Sequence, residues 1–145
     1  MNIFLYLKEK GIKHAFNTIW QYKIDICLRK FFYQLYKNKP LLNAIVIESH
    51  NDFDSNGGAF YSYLIENKYN EKYKIIWLLK HPEFKPKNLP KNVIGVPLYK
   101  PSITKDYYMC LSKYILSDDY CQPKMRNDQI SVFCTHGPIG LKNTR

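Results

Sequence analysis

The segment that decides the fold is a continuous apolar run at positions 74–79, KIIWLL in one-letter code. An uninterrupted apolar run of this length is typical of a strand that is buried on both faces of a sheet. Similar short runs stand at 44–47 (AIVI), 93–96 (VIGV), 114–117 (YILS) and 130–134 (ISVFC). The sequence therefore predicts five buried strands.

Two of the intervening segments have the apolar spacing of helices. Residues 59–72 place Phe60, Tyr63 and Leu64 inward, and a second, shorter helix is predicted at 102–111. Strands that alternate with helices predict an α/β fold with a Rossmann-like parallel sheet, covered on both faces. We expect six residues to be buried in that sheet: Ile45, Ile47, Ile76, Leu78, Ile115 and Val132.

The composition excludes several classes of protein. The chain has 145 residues, which suits about one compact domain. Hydrophobic residues make up 46% and aromatic residues 16%, so a disordered chain is excluded. No apolar run approaches the roughly 20 residues of a membrane span. The four cysteines contain no Cys-x-x-Cys, so we predict reduced thiols in a cytoplasmic protein, with no metal site and no cofactor.

The positive charge is concentrated at the N-terminal side. Of the formal net charge of +10, residues 1–40 carry +6 (eight Lys and Arg, two acids) and residues 41–145 carry +4. The apolar stretch at 3–7 is too short for a secretory signal. We predict a basic amphipathic helical segment at 1–40, followed by the α/β domain at 41–145.

The basic segment contains a predicted helix at 12–37. Its predicted apolar face consists of Ile12, Ala15, Phe16, Ile19, Trp20 and Cys27. Its predicted polar face consists of His14, Thr18, Gln21, Asp25 and Arg29. A basic helix with aromatic residues is suited to an anionic membrane surface. The alternative is a helix that packs on its own domain, which gives the same pattern.

Three loops leave the predicted carboxyl ends of strands, where ligands bind in parallel sheets. These loops are 48–58, 117–119 and 135–137. The last one contains His136 and Gly137, with Lys142 a few residues on. An imidazole there can accept a proton from a hydroxyl, glycine lets a ligand approach the backbone, and lysine can attract a phosphate. A structural role for the histidine in its turn is the alternative.

The other two loops contain weaker signals. Gly57 and Gly58 open a helix, whose N-terminus attracts anions, and Ser55 or Asn56 is predicted to cap it. No nucleotide-binding glycine fingerprint is present, so a capped turn is the alternative. Asp118 and Asp119 could bind a metal or orient a sugar hydroxyl, and the alternative is a solvated turn after the strand.

The order of these motifs resembles the CDP-glycerol glycerophosphotransferase family of teichoic acid biosynthesis. The resemblance runs from about 44 to 142. Its motifs are Glu-Ser at 48–49, Ser-Asn at 55–56, YSYL at 61–64, YKIIWLLK at 73–80, SKYILSDD at 112–119 and THG at 135–137 with LK at 141–142. The sequence departs from the family pattern at Pro138, where threonine is usual, and in the spacing of Lys142 from Gly137.

The resemblance implies a two-domain, glycosyltransferase-B-like enzyme, peripheral on the cytoplasmic face of the cell membrane. It would transfer glycerol phosphate, or a related polyol or sugar phosphate, from a CDP-linked donor to a lipid-linked or polymeric acceptor. It implies His136 as the base, and as substrate-binding residues Gly137, Lys142, Ser55, Asn56 and Asp118. The nucleotide-binding half would lie beyond this sequence, and the chain alone is expected to be inactive.

A second hypothesis belongs to another class, a non-catalytic basic binding module. The isoelectric point near 9.4 would suit an anionic membrane or a nucleic acid. No recognised nucleic-acid-binding motif occurs, so nucleic acid is not an expected partner.

Overall fold

A computed structural model describes residues 11, 16, 19, 23–119, 122 and 124–134. The strands are β1 (Leu42–Glu48), β2 (Lys74–Leu79), β3 (Val93–Pro97), β4 (Ser112–Ser117) and β5 (Ile130–Phe133). The helices are α1 (Asp25–Tyr36), α2 (Ser55–Glu66) and α3 (Ile103–Leu111), with 3₁₀ turns at Tyr69–Glu71 and Pro82–Phe84. The predicted helix at 59–72 thus begins four residues earlier and ends in a separate 3₁₀ turn.

The five strands form one sheet in the order β3-β2-β1-β4-β5, and every neighbouring pair is parallel. Strand β1 lies at the centre, with Ile45 opposite Ile75 on one side and Tyr114 on the other. This arrangement confirms the predicted Rossmann-like α/β fold. It also brings the ends of β1 and β4 together at the carboxyl edge of the sheet.

Each face of the sheet has its own apolar core. On one face, Val46 and Ile76 pack with Met109 of α3. On the other face, Ile47 and Trp77 pack with Leu64 of α2. Alternate residues along β1 and β2 serve opposite faces, which is why these strands are apolar at every position.

The predicted core is confirmed at five of its six positions. Ile45, Ile47, Ile76, Leu78 and Ile115 are all buried. Val132 is the exception, because 46% of it is exposed, and the other residues of β5 are exposed as well. Among the described residues β5 pairs with β4 alone, so it is an edge strand whose apolar run does not imply burial.

Where the structure describes it, the basic segment does not pack on the domain through its predicted apolar face. Phe16 and Ile19 of that face are 62% and 56% exposed, and Cys27 is exposed too. Asp25, predicted to be outward, is buried because it pairs with the buried Lys105 of α3. The helix therefore packs on its own domain through a side that contains both Asp25 and the buried Phe32.

In the part of the chain that the structure describes, no helix combines the length and the apolar character that crossing a bilayer requires.

Candidate functional site

The centre of the candidate site is Asp118, a buried carboxylate just beyond β4. Its Oδ2 accepts hydrogen bonds from the Ser49 hydroxyl at 2.9 Å and from the Gly57 N–H at 2.9 Å. Its Oδ1 accepts one from the His50 N–H at 2.6 Å. Asp118 thus fastens the loop after β1 and the first turn of α2 to the end of β4.

This arrangement explains the glycine at the start of α2. A Cβ at Gly57 would lie 2.8 Å from the Cβ of Ser49, which is closer than real Cβ contacts come. Glycine therefore lets the helix N-terminus approach the Asp118 carboxylate. The protein itself supplies an anion at this helix N-terminus, where negative charge is favourable.

The cap of α2 is Asp54, so the prediction of Ser55 or Asn56 as the cap is wrong. The Asp54 carboxylate accepts a hydrogen bond from the Ser55 N–H at 2.7 Å. Phe53 and Ser55 both have left-handed backbone, with φ of 60° and 59°. The Ser49 hydroxyl oxygen lies 2.6 Å from the Asp54 carbonyl oxygen, which shares the single hydroxyl proton with Asp118, and this contact holds the tight loop. Ser55 and Asn56 lie at the surface of the first turn, and their predicted contact with substrate stays a prediction.

A second pair of residues, His50 and Asp119, lies beside Asp118, and the sequence analysis did not predict that they meet. The His50 Nδ1 atom is 3.2 Å from Oδ1 of Asp119, and the imidazole is largely exposed. The signal was present in the sequence. Glu48 and Ser117 are opposite each other in register, so the residues two positions beyond each of them become neighbours.

Lys80 completes this cluster from the end of β2. Its ammonium donates to Oδ2 of Asp119 and to the His50 carbonyl at 3.0 Å, and it lies 3.6 Å from Oε1 of the buried Glu48. Burial lowers the pKa of Lys80, but the hydrogen bond and charge of Asp119, together with Glu48, outweigh it and raise that pKa. Conversely, the hydrogen bond from Lys80 holds the pKa of Asp119 below its usual value. Asp119 is therefore ionised at neutral pH.

The His50–Asp119 pair has the geometry of a general base and the group that orients it. A carboxylate beside Nδ1 favours the tautomer with its proton on Nδ1, and it stabilises the imidazolium that forms when Nε2 accepts a proton. The edge of a parallel sheet where strands end is also where ligands bind in such folds. Within the described ranges, no group of three or more His, Cys, Asp or Glu residues is placed to hold a metal ion.

Comparisons with known proteins show where this fold recurs. Neither the protein-family models nor the curated proteins include a match to the chain. A solved structure of the wall teichoic acid polymerase TagF matches with a TM-score of 0.60 and 18% identity, over 92% of this chain and 32% of that one. Two histidine variants of TagF match similarly. The histidine-to-alanine variant has a TM-score of 0.59 and 17% sequence identity, and the match covers 94% of this chain and 32% of the variant. The histidine-to-asparagine variant has a TM-score of 0.59 and 18% identity, and the match covers 92% of this chain and 32% of the variant.

At this identity the likeness shows a shared fold. The chain spans about a third of the length of the TagF structures that it matches. The Rossmann-like α/β fold of this chain is thus also the fold of part of a teichoic acid polymerase.

The remaining predicted site residues lie outside the described residues. These are His136, Gly137 and Lys142. Cys134, which is described, lies at the same edge of the sheet as Asp118, because its N–H donates to the Ser117 carbonyl at 2.8 Å. Cys134 itself is half-buried and packs against the core face of Ile47 and Trp77, as strand alternation predicts. The role of His136 as a base stays a prediction.

Proposed function

We propose that this chain is the acceptor-side part of a glycerophosphotransferase-like enzyme of teichoic-acid type. The donor would be CDP-glycerol or a related CDP-linked polyol, and the acceptor a lipid-linked or polymeric hydroxyl compound. The motif resemblance and the TagF-like fold support this proposal. The observation that carries it is the His50–Asp119 pair at the carboxyl edge of the sheet.

In the proposed reaction, His50 activates the acceptor. The acceptor hydroxyl gives its proton to Nε2 of His50, and its oxygen forms a bond to the β-phosphorus of the donor. The bond from that phosphorus to the bridging oxygen breaks, and cytidine monophosphate leaves. Asp119 stabilises the imidazolium, and Lys80 keeps Asp119 ionised and in place. The groups that bind the nucleotide would come from outside this chain.

The test is a transfer assay with the full gene product, CDP-glycerol and a polymeric acceptor. A positioned base typically supplies about 10²–10⁴-fold in rate, so His50→Asn should lower kcat by at least about 100-fold. His81→Asn is the matched control, because His81 is also an exposed histidine beside a carboxylate, with Nδ1 3.3 Å from Glu83. Wild-type turnover in His50→Asn would contradict the proposal. The same assay of His136→Ala decides whether that residue or His50 is the base.

The proposal includes peripheral attachment to the cytoplasmic membrane face through α1 and the residues before it. Lys23, Lys30 and Lys37 are exposed at intervals of seven, so they form one stripe along the helix. Exposed apolar side chains flank this stripe: Phe16, Ile19, Ile26, Phe31 and Leu35. Each lysine near an anionic surface contributes about 1 kcal/mol, and the apolar side chains add burial in the lipid interface.

Vesicle sedimentation tests this attachment. Replacing both Phe31 and Leu35 with aspartate should weaken binding to anionic vesicles by at least about tenfold, since both apolar contact and charge are lost. Phe84→Asp is the control, because Phe84 is 78% exposed and belongs to the turn after β2. Equal binding by the two variants would contradict a membrane role for α1. Tighter binding to RNA than to vesicles would favour the binding-module hypothesis.

A further inference from the structure

Lys105 of α3 has an unusual environment for a lysine. Its side chain is 1% exposed, although lysine is almost never fully buried unless it is paired. Three charged side chains surround it at the contact between α1 and α3: Asp25, Arg29 and Asp106. A buried ammonium is costly, so its contacts show what it holds together.

The Lys105 ammonium forms an ion pair with Asp25 and donates hydrogen bonds to two backbone carbonyls. The Nζ atom is 2.8 Å from Oδ1 of Asp25, 3.0 Å from the Leu98 carbonyl and 3.2 Å from the Lys100 carbonyl. The two carbonyls accept hydrogen bonds from two of the three donors of the ammonium, and Asp25 balances its charge. Asp25 belongs to α1, whereas Leu98 and Lys100 belong to the loop after β3. Lys105 therefore ties a helix to a loop.

That loop extends to the candidate site. The Leu98 N–H donates to the carbonyl of Leu79 at 2.7 Å, and Leu79 directly precedes Lys80. Tyr99 lies between the two carbonyls that Lys105 holds, and its phenol is close enough to Lys80 to act on it electrostatically. Lys80 in turn holds Asp119 and the His50 carbonyl. Contacts thus run without a break from α1 to the His50–Asp119 pair.

We propose that Lys105 is a positioning residue that couples the attachment of α1 to the placement of Lys80 at the candidate site. When α1 shifts, Asp25 no longer holds the ammonium, the loop at 98–100 loosens, and Lys80 moves relative to Asp119. Any partner that binds the exposed face of α1 can then change the site without touching it. The value of this coupling for catalysis rests on the proposed function, whereas the coupling itself is a property of the fold.

Amide hydrogen exchange on the full chain tests the coupling, without vesicles, donor or acceptor. Asp25→Asn changes the helix side alone and keeps the side-chain shape. We expect the amides of Leu98, Tyr99 and Lys80 to exchange at least about fivefold faster in this variant than in wild type. The exchange rates of the amides in β1 should not change. Lys105→Met should give a larger increase at the same amides. The rate at which the Lys80 amine is acylated should rise with them, because that amine loses its hold on Asp119.

Arg126→Met is the matched control, because Arg126 anchors the other end of α1. Its guanidinium donates to the carbonyls of Tyr36 and Lys39 at 3.1 and 2.7 Å. This variant should speed amide exchange at 37–41. The exchange rates of the Leu98 and Lys80 amides should stay within about twofold of the wild-type rates. The proposal is overturned if Asp25→Asn frees α1 but leaves Leu98 and Lys80 protected, or if Arg126→Met loosens them as much. Neither result depends on whether the protein is a transferase.

Discussion

Two buried aspartates, one on each side of β4, have opposite environments. Asp118 follows β4 at the carboxyl edge and accepts three hydrogen bonds from neutral donors. Asp106 lies on α3 against α1, and among the described residues neither of its oxygens accepts a hydrogen bond. The closest ion pair that it makes is with Nε of Arg29, at 3.7 Å.

The difference shows how surroundings divide the roles of one residue type. Around Asp118, backbone and hydroxyl donors at a helix N-terminus replace the lost water. The carboxylate therefore holds the loop after β1 and the start of α2 against the end of β4. Around Asp106, burial and the charge of Asp25 raise the pKa to about 6, against the opposing pull of Lys105 and Arg29. Asp106 is therefore a group that titrates near physiological pH. The following predictions test this comparison.

The largest effect is expected for Asp118→Ala. This change leaves the N–H groups of His50 and Gly57 without their acceptor, whereas the Ser49 hydroxyl keeps the Asp54 carbonyl. Buried donors without partners cost about 1–3 kcal/mol each, so the unfolding free energy should fall by about 4 kcal/mol. Urea unfolding measures it. The control is Asp54→Ala, the exposed cap of the same helix, with a loss of about 1 kcal/mol. Equal losses of unfolding free energy in the two variants would contradict the role of Asp118 in holding these elements together.

The next effect is a pH dependence that belongs to Asp106. Because its folded pKa is raised from 3.8 to about 6, its stabilising contribution is complete below pH 4 and disappears as the pH rises through 6. A shift of about two units corresponds to about 3 kcal/mol. Asp106→Asn cannot titrate, so its unfolding free energy relative to wild type should rise by up to that amount between pH 4 and 7. Urea unfolding at several pH values checks this, and parallel pH profiles for the two proteins would contradict it.

A smaller effect is expected for Gly57→Ala. The added methyl group would collide with the Ser49 side chain, which also holds Asp118. Overpacking typically costs about 1–3 kcal/mol, and we expect about 2 kcal/mol by thermal or urea unfolding. Ser62→Ala, at an exposed position of the same helix, should stay within about 0.5 kcal/mol of wild type. If Gly57→Ala lowered the unfolding free energy no more than Ser62→Ala does, the close approach of α2 to Asp118 would be contradicted.

The smallest effect on stability is expected for Asp119→Asn. Asp119 is the next residue after Asp118, but its side chain is partly exposed and its partners are His50 and Lys80. Asparagine keeps an acceptor oxygen for Lys80, which also retains Glu48 and the His50 carbonyl, so the change should cost about 1 kcal/mol in urea unfolding. If Asp119→Asn lowered the unfolding free energy as much as Asp118→Ala, the distinction between a structural Asp118 and a functional Asp119 would be contradicted.

The sequence predicts the sheet well because each of its buried strands coincides with a local apolar run, such as 74–79. It fails at Val132, since the same run occurs in an edge strand whose exposure depends on which elements cover it. It also fails at Asp25, because a charged residue is assigned outward unless its distant partner Lys105 is known. The His50–Asp119 pair was missed for a similar reason. It depends on the register of β1 against β4, which local patterns do not show.

The central claim is that His50 and Asp119 act together on an acceptor hydroxyl, and a double-mutant cycle of transfer rates tests it most directly. The cycle compares His50→Asn, Asp119→Asn and the double variant in the full gene product, with CDP-glycerol and a polymeric acceptor. If the pair acts as one unit, the double variant should be no slower than His50→Asn alone, which should be at least about 100-fold slower than wild type. Losses that multiply independently, or turnover near wild type in His50→Asn, would contradict the account.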